Sequence, residues 1–219
     1  MVYFKLMTFD DLIKINRKVY GVGDDRLYCV DDLLYYNQKY ILRFIDNLEN
    51  DKTEQAKVDL IAALFWYIAL IFRYHIDIES ELWKHYSYKC PRCMDIPCSC
   101  QRIDIDERQK TGRPPSRKPG SLSEWQAMIC KIYPNDTLSD LENKLIKYLD
   151  KLSFCFRNYI KKPNEKNLKE LEYRAIDYLV LIFEAMNLIR IDLDKEITTM
   201  FKRGCYICHK IPCICNYSE

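Results

Sequence analysis

The sequence predicts an all-α fold of two tandem helical repeats packed on each other as a pseudo-dimer, each repeat ending in a four-cysteine knuckle. Three observations carry this. Only 5 glycines and 8 prolines occur in 219 residues, so few positions break a helix. Apolar residues recur at helical spacing through long stretches of the chain. One cysteine pattern is written twice: Cys90-Pro-Arg-Cys93-Met-Asp-Ile-Pro-Cys98-Ser-Cys100, then Cys205-Tyr-Ile-Cys208-His-Lys-Ile-Pro-Cys213-Ile-Cys215.

The repetition extends upstream of the cysteines. Ile76-Asp77-Ile78-Glu79 matches Ile191-Asp192-Leu193-Asp194, and Thr8 to Leu12 matches Ser121 to Trp125. Tyr20-Gly21 matches Tyr133-Pro134 in the same order. A fixed-order match of this kind is one supersecondary unit used twice. It divides the chain into a first repeat with its knuckle at 1–100, a basic Pro-rich linker at 101–120, and a second repeat with its knuckle at 121–219.

Each repeat reads as four helices. Thr8 and Asp11 make a capping-box start for a helix that runs to Tyr20 and stops at Gly21-Val-Gly23. A second helix is expected from about Asp31 to Leu48, broken by Asn50-Asp51-Lys52. A third, from about Glu54 to Tyr74, is apolar nearly all round and must be buried. Asp77 caps a short fourth helix to about His85. In the second repeat, Ser121 and Glu124 form the box, and helices are expected over Ser139 to Ile160 and Glu165 to Leu188. Asp192 caps the last one. Long helices on short loops pack as bundles.

Composition narrows the function classes. A net charge of +2 exerts no global pull toward nucleic acid or membrane. The longest apolar run, Leu60 to Phe72, is too short for a bilayer span and reads as a core helix. No N-terminal leader pattern is visible. These features point to a cytoplasmic protein with no membrane partner. The 17 tyrosines, many on helical stripes, read as packing at helix surfaces.

Eleven cysteines, eight of them in two tight clusters, argue for metal binding over a disulfide framework. Thiolates at CxxC spacing reach one ion from a tight turn, and the CxC pair closes a tetrahedron. The expected ligands are Cys90, Cys93, Cys98 and Cys100 at one site and Cys205, Cys208, Cys213 and Cys215 at the other, with two structural zinc ions. An iron–sulfur cluster and a dithiol switch are the alternatives. Each knuckle is expected to brace its own repeat by pinning the last helix. Contact with nucleic acid through Arg92, His209 or Lys210 is the competing role. Cys29, Cys130 and Cys155 stand outside the clusters and are expected to be buried.

Leu64 to Leu70, Ile76 to Tyr86 and the knuckle after them, with Ser121 to Trp125, Ile191 to Glu196 and the second knuckle, resemble the MazG-like all-α nucleoside triphosphate pyrophosphohydrolase superfamily. The resemblance covers most of both repeats. It implies cleavage between the α and β phosphates by magnesium ions held on ExxE and ExxD motifs of two facing helices. At the ExxD positions this chain has Asp59 and Ala62, then Arg174 and Asp177. The preceding helices carry Tyr35, Tyr36 and Lys39, then Asp150, Lys151 and Phe154. Neither repeat keeps a paired set of acids, and Arg174 would repel a cation and favour a phosphate. The resemblance therefore implies a degenerate site, with a role in nucleotide or nucleic-acid recognition or as a scaffold for a protein partner. The alternative is a magnesium-dependent hydrolase with a composite site of Asp59, Asp150 and Asp177.

The linker from Arg108 to Lys118 has five basic residues and no acid. Gly112-Arg113-Pro114 flanked by bases is similar to a minor-groove AT-hook, which makes Arg113, Arg117 and Lys118 candidate nucleic-acid contacts. A flexible Pro-rich connector is the other reading.

Overall fold

A computed structural model of the chain describes residues 6–99, 117–134 and 137–215. Among them the structure is helical, with no strand. The helices are α1 (Phe9–Val19), α2 (Gly21–Leu27), α3 (Val30–Glu49), α4 (Thr53–Arg73), α5 (Ile78–Tyr86), α6 (Leu122–Ile132), α7 (Leu138–Lys161), α8 (Glu165–Leu188) and α9 (Leu193–Met200).

The starts follow local chemistry. Thr8 Oγ1 accepts from the Asp11 amide at 3.1 Å, and Asp11 Oδ2 accepts from the Thr8 amide at 3.3 Å, a complete capping box. Ser121 caps α6 in the same way, but the reciprocal bond differs: Glu124 Oε2 accepts from the Gly120 amide at 2.6 Å. Asp77 and Asp192 cap α5 and α9 as expected. One element departs from the sequence reading. Gly21-Val-Gly23 opens α2 where a stop is expected. A side chain at Gly21 would meet Arg17 Cζ at 2.9 Å. The missing Cβ leaves room for Arg17 to lie along the bend and reach Asp25 Oδ1 at 2.9 Å.

The chain folds as two compact units, and they do not coincide with the repeats at 1–100 and 121–219. One unit comprises 1–76 and 191–219; the other comprises 77–190. The last helix and knuckle of each repeat therefore belong to the unit built on the other repeat's bundle. The expectation that each knuckle braces its own repeat is corrected by this exchange. Sequence order does not reveal it, because the two cysteine patterns and the two helix ends that seat them are alike.

In the first unit α3 packs along α4, with α1 and α2 beside them. From Leu60 to Ile71 every residue of α4 except Ala62 is buried. Helix α4 is long and apolar enough to cross a membrane by length and composition, yet its side chains are the core of this unit. Burying each large apolar chain contributes about 1.5–3 kcal/mol. Two buried asparagines fix how the neighbours lie on α4: Asn16 Nδ2 donates to the Phe65 carbonyl at 2.9 Å, and Asn37 Nδ2 to the Ala63 carbonyl at 2.7 Å.

The second unit is built on the α7–α8 hairpin, with α5 and α6 packed on α8. Ala175 to Met186 are all buried. Trp125 is fully buried and meets the Trp83 ring edge-on at 6.1 Å. Tyr86 carries the tie from α5 to α8, its hydroxyl donating to Asp177 Oδ1 at 2.7 Å.

Candidate metal centres

Each knuckle is a tight turn whose backbone closes on itself. Cys90 donates its amide to the Asp95 carbonyl and Met94 to the Cys90 carbonyl; in the other knuckle Cys205 donates to Lys210 and His209 to Cys205. Met94 and His209 hold the turn with φ of 63° and 55°. His209 is therefore a turn residue, and the cysteine group beside it does not include it. Gly204 has φ 109°, and a Cβ there would lie 2.8 Å from the Lys210 carbonyl oxygen, so only glycine fits before Cys205. Ile96–Pro97 and Ile211–Pro212 are both cis.

The turns bring the sulfurs together. Cys205, Cys208, Cys213 and Cys215 present sulfur atoms all within 4.8 Å of one another, and so do Cys90, Cys93 and Cys98. Cys100 and Arg113 lie outside the described residues. Cys93 and Cys98, Cys208 and Cys213, and Cys205 and Cys215 are each 3.8 Å apart, sulfur to sulfur. Four sulfurs about 2.3 Å from one tetrahedral ion are about 3.8 Å from each other. A disulfide would need about 2.05 Å. The cysteine groups thus match the size of a metal-ion site.

Electrostatics favour thiolate at equivalent positions. Burial opposes charge on Cys93, but amides of Asp95 and Ser99 donate toward its sulfur and bring the thiol down to about 6. At Cys208 the Ile214 amide has the largest effect, burial opposes it, and the Lys210 amide adds, again to about 6. Backbone N–H groups aimed at these two sulfurs stabilise the ligating form, while at Cys215 burial and the neighbouring thiols push the other way.

Each knuckle is also hydrogen-bonded to the end of a bundle helix. The Cys213 amide donates to the Val19 carbonyl at 2.7 Å, and the Cys98 amide to the Ile132 carbonyl at 2.7 Å. Val19 and Ile132 end α1 and α6, where carbonyls lack helical partners. Tyr20 and Tyr133 add O–H···S contacts to Cys205 and Cys90 at 3.6 and 3.5 Å. The same two contacts at both seats explain why Tyr20 and Tyr133 belong to the repeat.

Of the remaining cysteines, Cys155 is buried, while Cys29 and Cys130 are exposed, contrary to expectation. Cys29 sits at the start of α3, where its amide donates to Asp32 Oδ2 at 2.8 Å. Cys130 falls on the outer face of α6.

The acids of the family motif are engaged by protein groups. In the first unit buried Asp59 accepts from Asn47 Nδ2 at 2.7 Å and faces Arg43 Nε at 3.2 Å. Burial raises its pKa, with Arg43 and Asn47 opposing. In the second unit buried Asp177 takes the Tyr86 hydroxyl and faces Arg174 Nη1 at 3.9 Å, while Arg174 Nε reaches Glu170 at 2.8 Å. Asp150 is exposed on α7 and belongs to this second unit. Among the described residues, the groups close enough to share an ion are the cysteine groups, and none of Asp59, Asp150 or Asp177 is in one.

The motif positions nevertheless line cavities. In the second unit Asp150, Lys151, Phe154, Arg157, Glu170 and Arg174 border one of about 430 Å³. Lys151 is shifted down there, first by burial and then by Arg174. In the first unit Tyr36, Lys39 and Ala62 border one of about 120 Å³. Tyr35 instead points outward and is exposed. The aromatic and polar walls of this smaller cavity were not foreseen as a site; Asn16 and Asp24, within an amphipathic helix and a glycine-flanked stretch, gave no motif to find.

At the linker's end Arg117 faces Glu124 at 3.1 Å and Lys118 faces Glu79 at 2.8 Å.

Comparison with protein families, with curated proteins and with solved structures finds no match to this chain. The class that fold and site define is an all-helical protein with two cysteine clusters able to hold a metal ion.

Proposed function

We propose that this chain is a zinc-braced, catalytically degenerate MazG-like protein that recognises a nucleotide through its phosphates without hydrolysing it. The observation that carries this reading is the second unit's cavity, where Lys151, Arg157 and Arg174 stand with Asp150 and Glu170. Arg174 occupies the place of a metal-binding acid, and Asp177 is held by Tyr86 and Arg174. Planar guanidinium groups bind phosphate directly, with two parallel N–H···O bonds. A magnesium ion needs several carboxylates or phosphates to replace its water, whereas here Asp150 and Glu170 share the cavity with three cations and Glu170 is held by Arg174.

Calorimetry with nucleoside triphosphates tests the reading. Binding should be independent of magnesium, and Arg174→Ala should weaken it more than about tenfold, the worth of a charge-assisted contact. Pyrophosphate release that needs magnesium and is lost in Asp59→Asn or Asp177→Asn would establish the composite hydrolase instead.

Zinc is the ion we assign to both knuckles, because all-cysteine tetrahedra close the coordination shell and brace folds. Residues 101–120 serve as a connector, since Arg117 and Lys118 each face a carboxylate of their own unit. Duplex DNA affinity should therefore stay unchanged when Arg113, Arg117 and Lys118 become Ala. A steep salt dependence that the triple variant abolishes would install the segment as a nucleic-acid contact.

A further inference from the structure

Each cysteine group contains one residue that is sealed from solvent. Cys205 and Cys90 are each 1% exposed, while Cys208, Cys213 and Cys215, and Cys93 and Cys98, are partly exposed. A thiolate withdrawn from water needs donors from the protein. Amides of the knuckle itself serve partly exposed sulfurs: Asp95 and Ser99 at Cys93, Ile214 and Lys210 at Cys208, and Cys215 at Cys213, 3.4 Å away. The sealed cysteines receive a hydroxyl from outside the knuckle. Tyr20 donates to Cys205 Sγ at 3.6 Å, and Tyr133 to Cys90 Sγ at 3.5 Å.

Both tyrosines stand at the same place in their units. Tyr20 caps the end of α1 and Tyr133 the end of α6. The residue before each one, Val19 or Ile132, accepts the amide of the knuckle's third cysteine. Two adjacent residues at a helix end thus hold the first cysteine by its sulfur and the third by its backbone. The rings are fixed by packing. Tyr20 meets Phe65 and Phe201 edge-on at 6.0 and 6.1 Å. Tyr133 is 9% exposed and meets Tyr86 at 6.5 Å. A packed phenol aims one O–H donor and adds no positive charge, so it serves the sulfur without repelling a metal cation.

We propose that Tyr20 and Tyr133 are positioning residues of the two metal centres, each donating its hydroxyl to the sealed metal-bound thiolate of its group, so that metal binding and the seating of the knuckle strengthen each other. The proposal rests on the metal reading given above. A hydrogen bond to an ionised acceptor is about twice as strong as one between neutral groups, and a bound metal keeps cysteine in the thiolate form. The contact is therefore strongest in the loaded knuckle. By linkage, the hydroxyl tightens the metal by the same factor as the metal tightens the seat.

Phenylalanine keeps the ring and removes one oxygen. Chelator competition on the zinc-loaded full chain, and absorption spectra of the cobalt-loaded full chain, test the proposal. Tyr20→Phe and Tyr133→Phe should each weaken one of the two zinc ions about tenfold or more, the scale of losing an outer-shell partner. With cobalt, losing the donor leaves the sulfur richer in electrons. The sulfur-to-cobalt charge-transfer band should then move to longer wavelength for one ion in each single variant and for both in the double variant. The visible cobalt bands and the far-ultraviolet circular dichroism should stay as in the wild type, showing that ligand geometry and helices are intact. Full zinc affinity and an unmoved charge-transfer band in the double variant overturn the proposal and leave the metal reading standing. Affinity lost with the band unmoved overturns it as well, since the phenols would then be struts of the fold. A wild-type chain that takes up neither ion overturns both.

Discussion

Chelating the metal, or replacing Cys205 with Ser, should release α9 and expose the end of α1 while leaving the α7–α8 hairpin protected. Metal binding and folding are one equilibrium in a short cysteine site, worth about 10 kcal/mol or more in isolated peptides. The loss is felt where the knuckle is seated. Its Cys213 amide is the partner of the Val19 carbonyl, and Tyr20 contacts Cys205. Phe201, just past α9, also stacks on Phe65 of α4 at 4.3 Å. All of these lie in the unit formed by 1–76 and 191–219. Cys90→Ser should act on the other unit, loosening α5 and the Ile132 end of α6. Native-state hydrogen exchange on each variant, alongside elemental analysis for two zinc ions per chain, reads this out. Protection lost at α6 in Cys205→Ser, or at α1 in Cys90→Ser, would mean that each knuckle stays with its own repeat. A metal content near zero, or iron with visible absorbance, would reject zinc.

Replacing Asp24 with Asn should stabilise the first unit, and the gain should grow with pH. Burial pushes the Asp24 carboxyl up to about 7; Arg17 draws it back, Asp25 adds to the rise and Arg73 opposes it. An acid whose folded pKa is raised above its unfolded value of 3.8 binds its proton more tightly when folded. Stability from this group is complete below 3.8 and is lost as pH rises to about 7. Each pH unit in that window changes stability by about 1.4 kcal/mol. Asn cannot ionise and escapes the loss, so the variant's advantage should increase by about 3 kcal/mol between pH 5 and pH 8. Urea unfolding of both proteins at the two pH values measures the difference directly, and cancels the separate effect of pH on thiolate ligation. A constant difference would show that Asp24 finds a compensating partner when charged.

The sequence by itself determined the helices, their caps and the two cysteine clusters, because these depend on neighbours along the chain. Thr8 with Asp11, Ser121 with Glu124, Asp77 and Asp192 act within one turn, so their roles can be read from spacing. Helix α8 begins and ends at the expected residues, Glu165 and Leu188, since Asn164 caps it and its apolar run stops there. The CxxC and CxC pairs lie within eleven residues, so convergence on one point follows from local turns. Gly21 is the local exception: its effect depends on where the Arg17 side chain lies. The tertiary structure alone decided which bundle each knuckle sits on, because the two seats at Val19–Tyr20 and Ile132–Tyr133 are chemically alike. It also decided that Asp59 is held by Arg43 and Asn47 and Asp177 by Tyr86, partners on other helices, whereas Arg174 lies three residues before Asp177 on α8. The aromatic cavity of the first unit arose the same way. It joins α1, α2, α3, α4 and the second knuckle, and no pattern along the chain records that Asn16 and Asp24 border one space.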